Sequence, residues 1–254
     1  MSQIAPKITS QKFHLRLAVD TIAADAKRLD VTIAELKDIH VTVSANIIES
    51  ATTDLQLTYQ IVMPTDSLIN RLHWPTWQAN KVSFENYLWE ETCLECFISG
   101  HAPPHDDTNN DIAPYIEINA SPDGRYALYQ FDSYRNPATL PPNPLILKEQ
   151  NTRASIDWSD CMHQSIKPHE SDLDTLSPSM STIASPQRPY CFERSFKLPL
   201  TTLSNQQYAV YDTTIKYIHP CVILWLGETP LYFAANHATP PDFHNHHYLS
   251  TFDL

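Results

Sequence analysis

Apolar and polar residues alternate with a period of two over most of this chain, in short runs rich in β-branched and aromatic side chains. The runs are Ile39 to Ile47, Leu55 to Val62, Thr92 to Ser99, Tyr115 to Ala120, Arg125 to Asp132, Cys191 to Leu198, Tyr208 to Leu226 and Leu231 to Ala235. Each predicts a strand, and together they predict antiparallel pairing. Between them stand residues that favour turns. Ser121-Pro122-Asp123-Gly124 presets one φ and supplies residues that tolerate the left-handed region, so it predicts a hairpin, and Gly227-Glu228-Thr229-Pro230 predicts another. Helical periodicity is sparse. Thr21 to Lys37 carries a turn or more around AADAKRL, interrupted by Val-Thr-Ile, and Leu200 to Ser204 reads as a short connector.

Many strands with few short helices predict an all-β fold, an antiparallel β-sandwich or jelly roll. The stretch from about Gln150 to Pro189 is rich in Ser, Pro, Asp and Thr and breaks the pattern, which resumes unchanged afterwards. The expectation is one domain over residues 12–254, carrying a flexible surface insertion over 160–189. The 254 residues suffice for a large buried core. Seventeen Lys and Arg against 29 Asp and Glu give a net charge of −12, which argues against a nucleic-acid surface or a basic membrane face. Only three glycines are present, and no phosphate-cradling glycine motif exists among them. The N-terminus lacks a secretory apolar core and no apolar run reaches membrane-spanning length. Five cysteines at irregular spacing fit reduced thiols, so a cytoplasmic location is expected.

Three ordered blocks carry a resemblance. Leu88-Trp89-Glu-Glu-Thr92-Cys93-Leu-Glu95-Cys-Phe97-Ile98 is the first. Tyr115-Ile-Glu117-Ile-Asn119-Ala-Ser121-Pro122-Asp-Gly124, continuing through Tyr129 and Phe131 to Tyr134-Arg135, is the second. Ala235-Asn-His237 followed by Pro241-Asp242-Phe243-His244 is the third. In sequence and order they resemble the DOMON-like β-sandwich proteins related to family 9 carbohydrate-binding modules. The chain departs from that pattern at Tyr126 and Phe233, where tryptophan is usual, and at Ala238, where proline is usual. The resemblance implies a sandwich fold and a sugar-like or haem-like ligand. It also implies that Trp89 and Glu95 occupy the places of a stacking ring and a polar sugar contact.

Strand alternation independently puts Cys93, Glu95 and Phe97 on one face, and Tyr115, Glu117 and Asn119 on one face of the next strand. A sugar site needs an aromatic ring for the C–H face of the pyranose and planar polar groups for its hydroxyls. Trp89, Glu95, Glu117, Asn119 and Arg135 supply that set, and the partner expected is a sugar or sugar-like small molecule bound without turnover. A purely structural reading makes Glu95, Glu117 and Arg135 an internal ion-pair network with Trp89 in the core. A third makes Glu95 and Glu117 the acid and base of a glycoside-processing enzyme. A haem site of the DOMON type would need a Met and a His, and Met63 is the methionine outside the insertion, apart from Met1. No cofactor is expected.

His237, Asp242, His244, His246 and His247 crowd the C-terminal region. They are read as a structural clasp, not a zinc site: Phe243 buried, Asp242 in an Asx-type turn and paired with His237 or His244, and a strand from Tyr248 to Leu254 anchored behind them. Cys93 and Cys96, three apart in a strand, should face opposite sides and share neither a disulfide nor a metal.

Overall fold

β2 (His40–Glu49) and β3 (Thr53–Met63) form a long antiparallel hairpin, His40 opposite Val62 and Ile47 opposite Leu55. Their alternate residues, Val41, Val43, Ala45 and Ile47 with Leu55, Leu57, Tyr59 and Ile61, are buried while the residues between are partly exposed. That half-wet pattern is the one the alternation predicts for a sheet with one face on a core. The computed structural model describes residues 6–100, 114–147, 151–158, 167–168, 190–200 and 215–252. Of the expected insertion, only 167–168 falls within these, as a two-residue strand; the rest lies outside the described residues.

The fold is all-β with a few short helices. In chain order the strands are β1 (Lys7–Leu17), β2, β3, β4 (Ser83–Phe84), β5 (Cys93–Ser99), β6 (Tyr115–Ala120) and β7 (Arg125–Phe131). They continue as β8 (Ile146–Leu147), β9 (Thr152–Arg153), β10 (Lys167–Pro168), β11 (Tyr190–Pro199), β12 (Tyr217–Leu226), β13 (Thr229–Ala234) and β14 (Ser250–Thr251). One hydrogen-bonded series runs β10-β11-β3-β2-β1-β13-β12-β5-β6-β7-β4, with β14 beside β12 and β8-β9 a separate ribbon. All pairings in the series are antiparallel except β4 with β7.

β1 is the fold-over point. Lys7 to Leu15 pair with β2, whereas Arg16 and Leu17 pair with β13, so the sheet bends there and its halves close face to face. The Tyr59 hydroxyl crosses the interior to donate to the Glu95 carbonyl at 2.7 Å. Between the halves lies the main core, with Leu57, Ile61 and Phe196 on one side and Leu94, Ile118 and Val222 on the other. β1 escapes the period-2 reading because its first half is mostly exposed and only Phe13 and Leu15 are buried.

The helical stretch splits in two, α1 (Ile22–Arg28) and α2 (Ile33–Lys37). Thr32, within the interrupting tripeptide, starts the second helix with a capping box: the Glu35 N–H donates to Thr32 Oγ1, and the Thr32 N–H donates to Glu35 Oε2. Both expected hairpins form. Ser121 N–H donates to the Arg125 carbonyl, and Gly124 at φ +115° occupies backbone space that an L side chain avoids. Gly227 and Glu228 close the β12-β13 turn, Leu226 facing Thr229.

Two boundaries change. β12 begins at Tyr217, and 208–214 lie outside the described residues. Within the strand expected from Tyr248 to Leu254, the described residues form the end of a 3-10 turn, His246–Tyr248, and the two-residue β14 against Tyr217 and Ile218, while 253–254 lie outside the described residues. The chain is anchored there by buried Phe252, whose N–H donates to the Lys216 carbonyl, so little regular pairing is required.

Candidate functional site

β5 and β6 are buried at every position, which a half-wet sheet would not allow. One face of these strands packs in the main core and the other belongs to a second, aromatic-rich cluster on the outside of the sheet. Alternation sorts them as expected: Leu94, Cys96, Ile98, Ile116 and Ile118 turn inward, and Cys93 and Phe97 turn to the second cluster with Tyr115. Cys93 and Cys96 therefore face opposite sides.

Register builds the outer face in rows. Glu95 lies opposite Asn119 on β6 and Cys221 on β12, and Cys221 in turn lies opposite Ala234 on β13. Glu117 lies opposite Phe97 on one side and Tyr129 on the other. The Glu95 row is flanked by small side chains and the neighbouring rows carry rings, so a hollow forms above Glu95. Three connections cover it: the turn Leu88–Glu90 bearing Trp89, the loop after β7 bearing Arg135, and the loop after β13 bearing Asp242 to His244.

The result is a cavity of about 450 Å³ whose walls include Trp89, Glu95, Glu117, Arg135, Asp242 and His244. Four of the five residues predicted to contact a ligand thus line one space, and Asn119 stands behind it, donating to Glu117 Oε1 at 2.7 Å. Trp89 is half-buried, tilted against Tyr129 at 6.0 Å between ring centroids. The rim is tied across the chain: Arg135 pairs with Asp242 at 2.8 Å, and the Tyr134 hydroxyl donates to the same carboxylate.

Sequence reasoning missed Tyr115, fully buried beneath the rim. It stacks on Phe131 with ring centroids 4.7 Å apart, and its hydroxyl accepts the Arg135 N–H at 3.2 Å. The same hydroxyl hydrogen-bonds His244 Nδ1 at 2.8 Å, and Nε2 of that ring lies 3.8 Å from Glu117 Oε2. The available signal was the alternation, which sets Tyr115 on the same face as Glu117.

Burial decides the electrostatics. Glu117 is raised to about 7 by desolvation, against the opposing pull of the Asn119 hydrogen bond and of Arg135. Glu95 is pushed well above the usual carboxylate range, first by desolvation and then by Glu117. His244 is lowered to about 3 by burial and by Arg135, so it is neutral and forms no ion pair with Glu117. At the rim, Tyr134 and Arg135 hold Asp242 below its ordinary value against the opposing effect of burial.

Three expectations are corrected. The ion-pair network of Glu95, Glu117 and Arg135 does not form: the Arg135 side chain is half-exposed and satisfied by Asp242, and it reaches Glu117 only through space. Asp242 does make the Asx-type turn, accepting the His244 N–H at 3.1 Å, but it pairs with Arg135 instead of His237 or His244. His237 is taken up by the Arg16 carbonyl, 2.7 Å from Nε2. The clasp also cannot be separated from the pocket, because Asp242, Phe243 and His244 all line it. Phe243 is buried as expected, against His219, Tyr232 and His237.

Among the described residues no group of three His, Cys, Asp or Glu side chains is placed to hold a metal. Met63 is fully buried in the core between the sheet halves, and His244 stands on the outer face, so this pair does not frame a common cavity for haem. No described helix is long and apolar enough to cross a membrane.

No family model matches the chain, and no curated protein matches it. The resemblance to DOMON-like proteins therefore rests on the three sequence blocks. Among solved structures, one described as a "putative carbohydrate-binding protein from Bacteroides uniformis ATCC 8492" aligns over 96% of this chain and 85% of that one, at 11% identity and a TM-score of 0.39. A likeness of that size leaves the site to be argued from this chain itself.

Proposed function

We propose that the chain is a cytoplasmic, non-catalytic binding module for a sugar or sugar-like small molecule, held in the cavity above Glu95 and Glu117. The observation that carries this reading is the convergence of Trp89, Glu95, Glu117 and Arg135 on one space of about 450 Å³. That volume lies in the range of small-molecule sites. Trp89 supplies an aromatic ring, while the two carboxyls and the Arg135–Asp242 pair supply acceptors and donors for hydroxyls. Glu117 Oε2 is buried without a hydrogen-bond partner, an unmet acceptor that a ligand hydroxyl would satisfy.

The paired acids also suit glycoside hydrolysis in kind. As diagonal neighbours on adjacent antiparallel strands their side chains originate about 7–8 Å apart, near the separations such enzymes use. Yet both rise from one wall of the cavity and both are raised, whereas that chemistry flanks the bond and keeps one carboxylate ionised. A calorimetric screen of glycans and metabolites, with Trp89→Ala as control, tests the reading. Saturable binding lost in the variant is expected. Binding that survives the substitution removes Trp89 from the site, and release of a cleaved glycoside, abolished by Glu95→Gln, replaces the binding module with an enzyme.

A further inference from the structure

The cavity is acidic, and Arg135 is the one Lys or Arg among its described lining residues. Glu95 and Glu117 are each nearly fully buried, and the cation at the mouth, Arg135, is neutralised by Asp242 at 2.8 Å. The nearest base, His244, spends Nδ1 on the Tyr115 hydroxyl and approaches Glu117 Oε2 no closer than 3.8 Å. Glu117 is among the residues lining this space, and its buried Oε2 has no hydrogen-bond partner. Around the acids stand the aromatic side chains of Trp89, Phe97, Phe131 and Phe243. Two carboxyls and an aromatic wall, with one acceptor unsatisfied, are the chemistry that recognises a small organic cation.

We propose that the ligand is a protonated amine on a sugar-like frame, an amino sugar, whose ammonium group seats at Glu95 and Glu117 beside the aromatic wall. This deepens the preceding reading and rests on it. The ammonium donates to Glu117 Oε2 and to the Glu95 carboxyl, and the Arg135–Asp242 pair is left for hydroxyls at the mouth.

Binding is linked to protons, because the acids bind a cation only as carboxylates. Near Glu95 stand Cys93, Cys221, Tyr232 and, from the interior, Tyr59. Near Glu117 stand Asn119, Tyr115, Tyr129 and His244, with Arg135 and Asp242 beyond and His219 past Phe97. Arg135 is the one cation among these groups near neutral pH and is already paired with Asp242, so a ligand ammonium adds the charge that favours the ionised acids. Glu117 is raised to about 7 and Glu95 lies well above its ordinary range, so the ammonium drives a proton from the pair into the buffer.

Calorimetry on the full chain tests this with matched probes: glucosamine, galactosamine and mannosamine, their N-acetyl forms, the neutral parent sugars, and cyclohexylamine as an amine without hydroxyls. At least one amino sugar is expected to bind about tenfold or more tightly than its neutral parent, with the N-acetyl form falling back to the parent. Titration in two buffers of different ionisation enthalpy should report proton release with the amino sugar and none with the parent. In Glu117→Gln the preference should shrink to within about threefold, and because proton release is read on the unaltered protein, misfolding of the variant does not shield the proposal. Equal affinity for amino and neutral sugars overturns the ammonium assignment and leaves the sugar site standing. Cyclohexylamine binding as tightly as any amino sugar overturns the sugar frame and keeps the ammonium site. Binding by none of the probes overturns both.

Discussion

Replacing Glu117 by glutamine should make the protein more stable at high pH while leaving it nearly unchanged at low pH. The side chain is buried, and its carboxyl is raised from an ordinary 4.5 to about 7, chiefly by desolvation. A raised folded-state value means that the folded state binds the proton more tightly than the unfolded chain. The associated stability is therefore complete below about pH 4.5 and is lost as pH rises toward 7, amounting to about 3 kcal/mol once the group is ionised. Glutamine keeps the acceptor that Asn119 Nδ2 binds at 2.7 Å and cannot ionise. Removing the Glu117 charge also relieves Glu95, which it raises, so the two effects have the same sign. Urea unfolding at about pH 5 and about pH 8 measures the difference. The variant should match wild type within about 1 kcal/mol at the lower pH and exceed it by about 2–3 kcal/mol at the higher. Comparison with wild type at each pH is essential, because His219 and His244 give the whole protein a slope of opposite sign. A variant less stable than wild type at pH 8 would refute the reasoning: Glu117 would then be an ionised partner of a charged His244.

His219 is lowered to about 4 and His244 to about 3, each first by burial, so both stay neutral in the folded protein while the unfolded chain protonates below about 6.5; stability should fall as pH drops below that value. Proton NMR of the imidazoles should show two histidines with no titration down to about pH 5, and a titration near 6.5 for either would remove it from the buried set. Phe243→Ala should cost about 3–5 kcal/mol in urea unfolding, since the ring is 8% exposed and packed on three neighbours; a loss below about 1 kcal/mol would mean the C-terminal loop is not anchored by it. Arg135→Ala, which removes a half-exposed ion pair, should change stability by less than about 1 kcal/mol while weakening ligand binding, and unchanged affinity would place the rim outside the site.

The strands, their faces and the two hairpins were legible in the chain because period two and turn chemistry are local properties. Phe97 beside Glu95, Tyr115 beside Glu117, and Gly124 at its positive φ all follow from a few consecutive residues. What local pattern could not tell was that both faces of β5 and β6 are covered, since the second cover comes from irregular connections, one of them, Asp242 to His244, distant in sequence. Nor could it choose the partner of Arg135: two buried acids stood nearby in the chain, yet the guanidinium found Asp242, 107 residues on, at the more exposed rim. Solvation explains that choice. An ion pair half in water keeps most of its hydration, whereas drawing Arg135 down to Glu95 and Glu117 would bury three charges together. The tertiary structure instead left the acids buried with no cation hydrogen-bonded to them, and that burial raises them at the floor of the cavity.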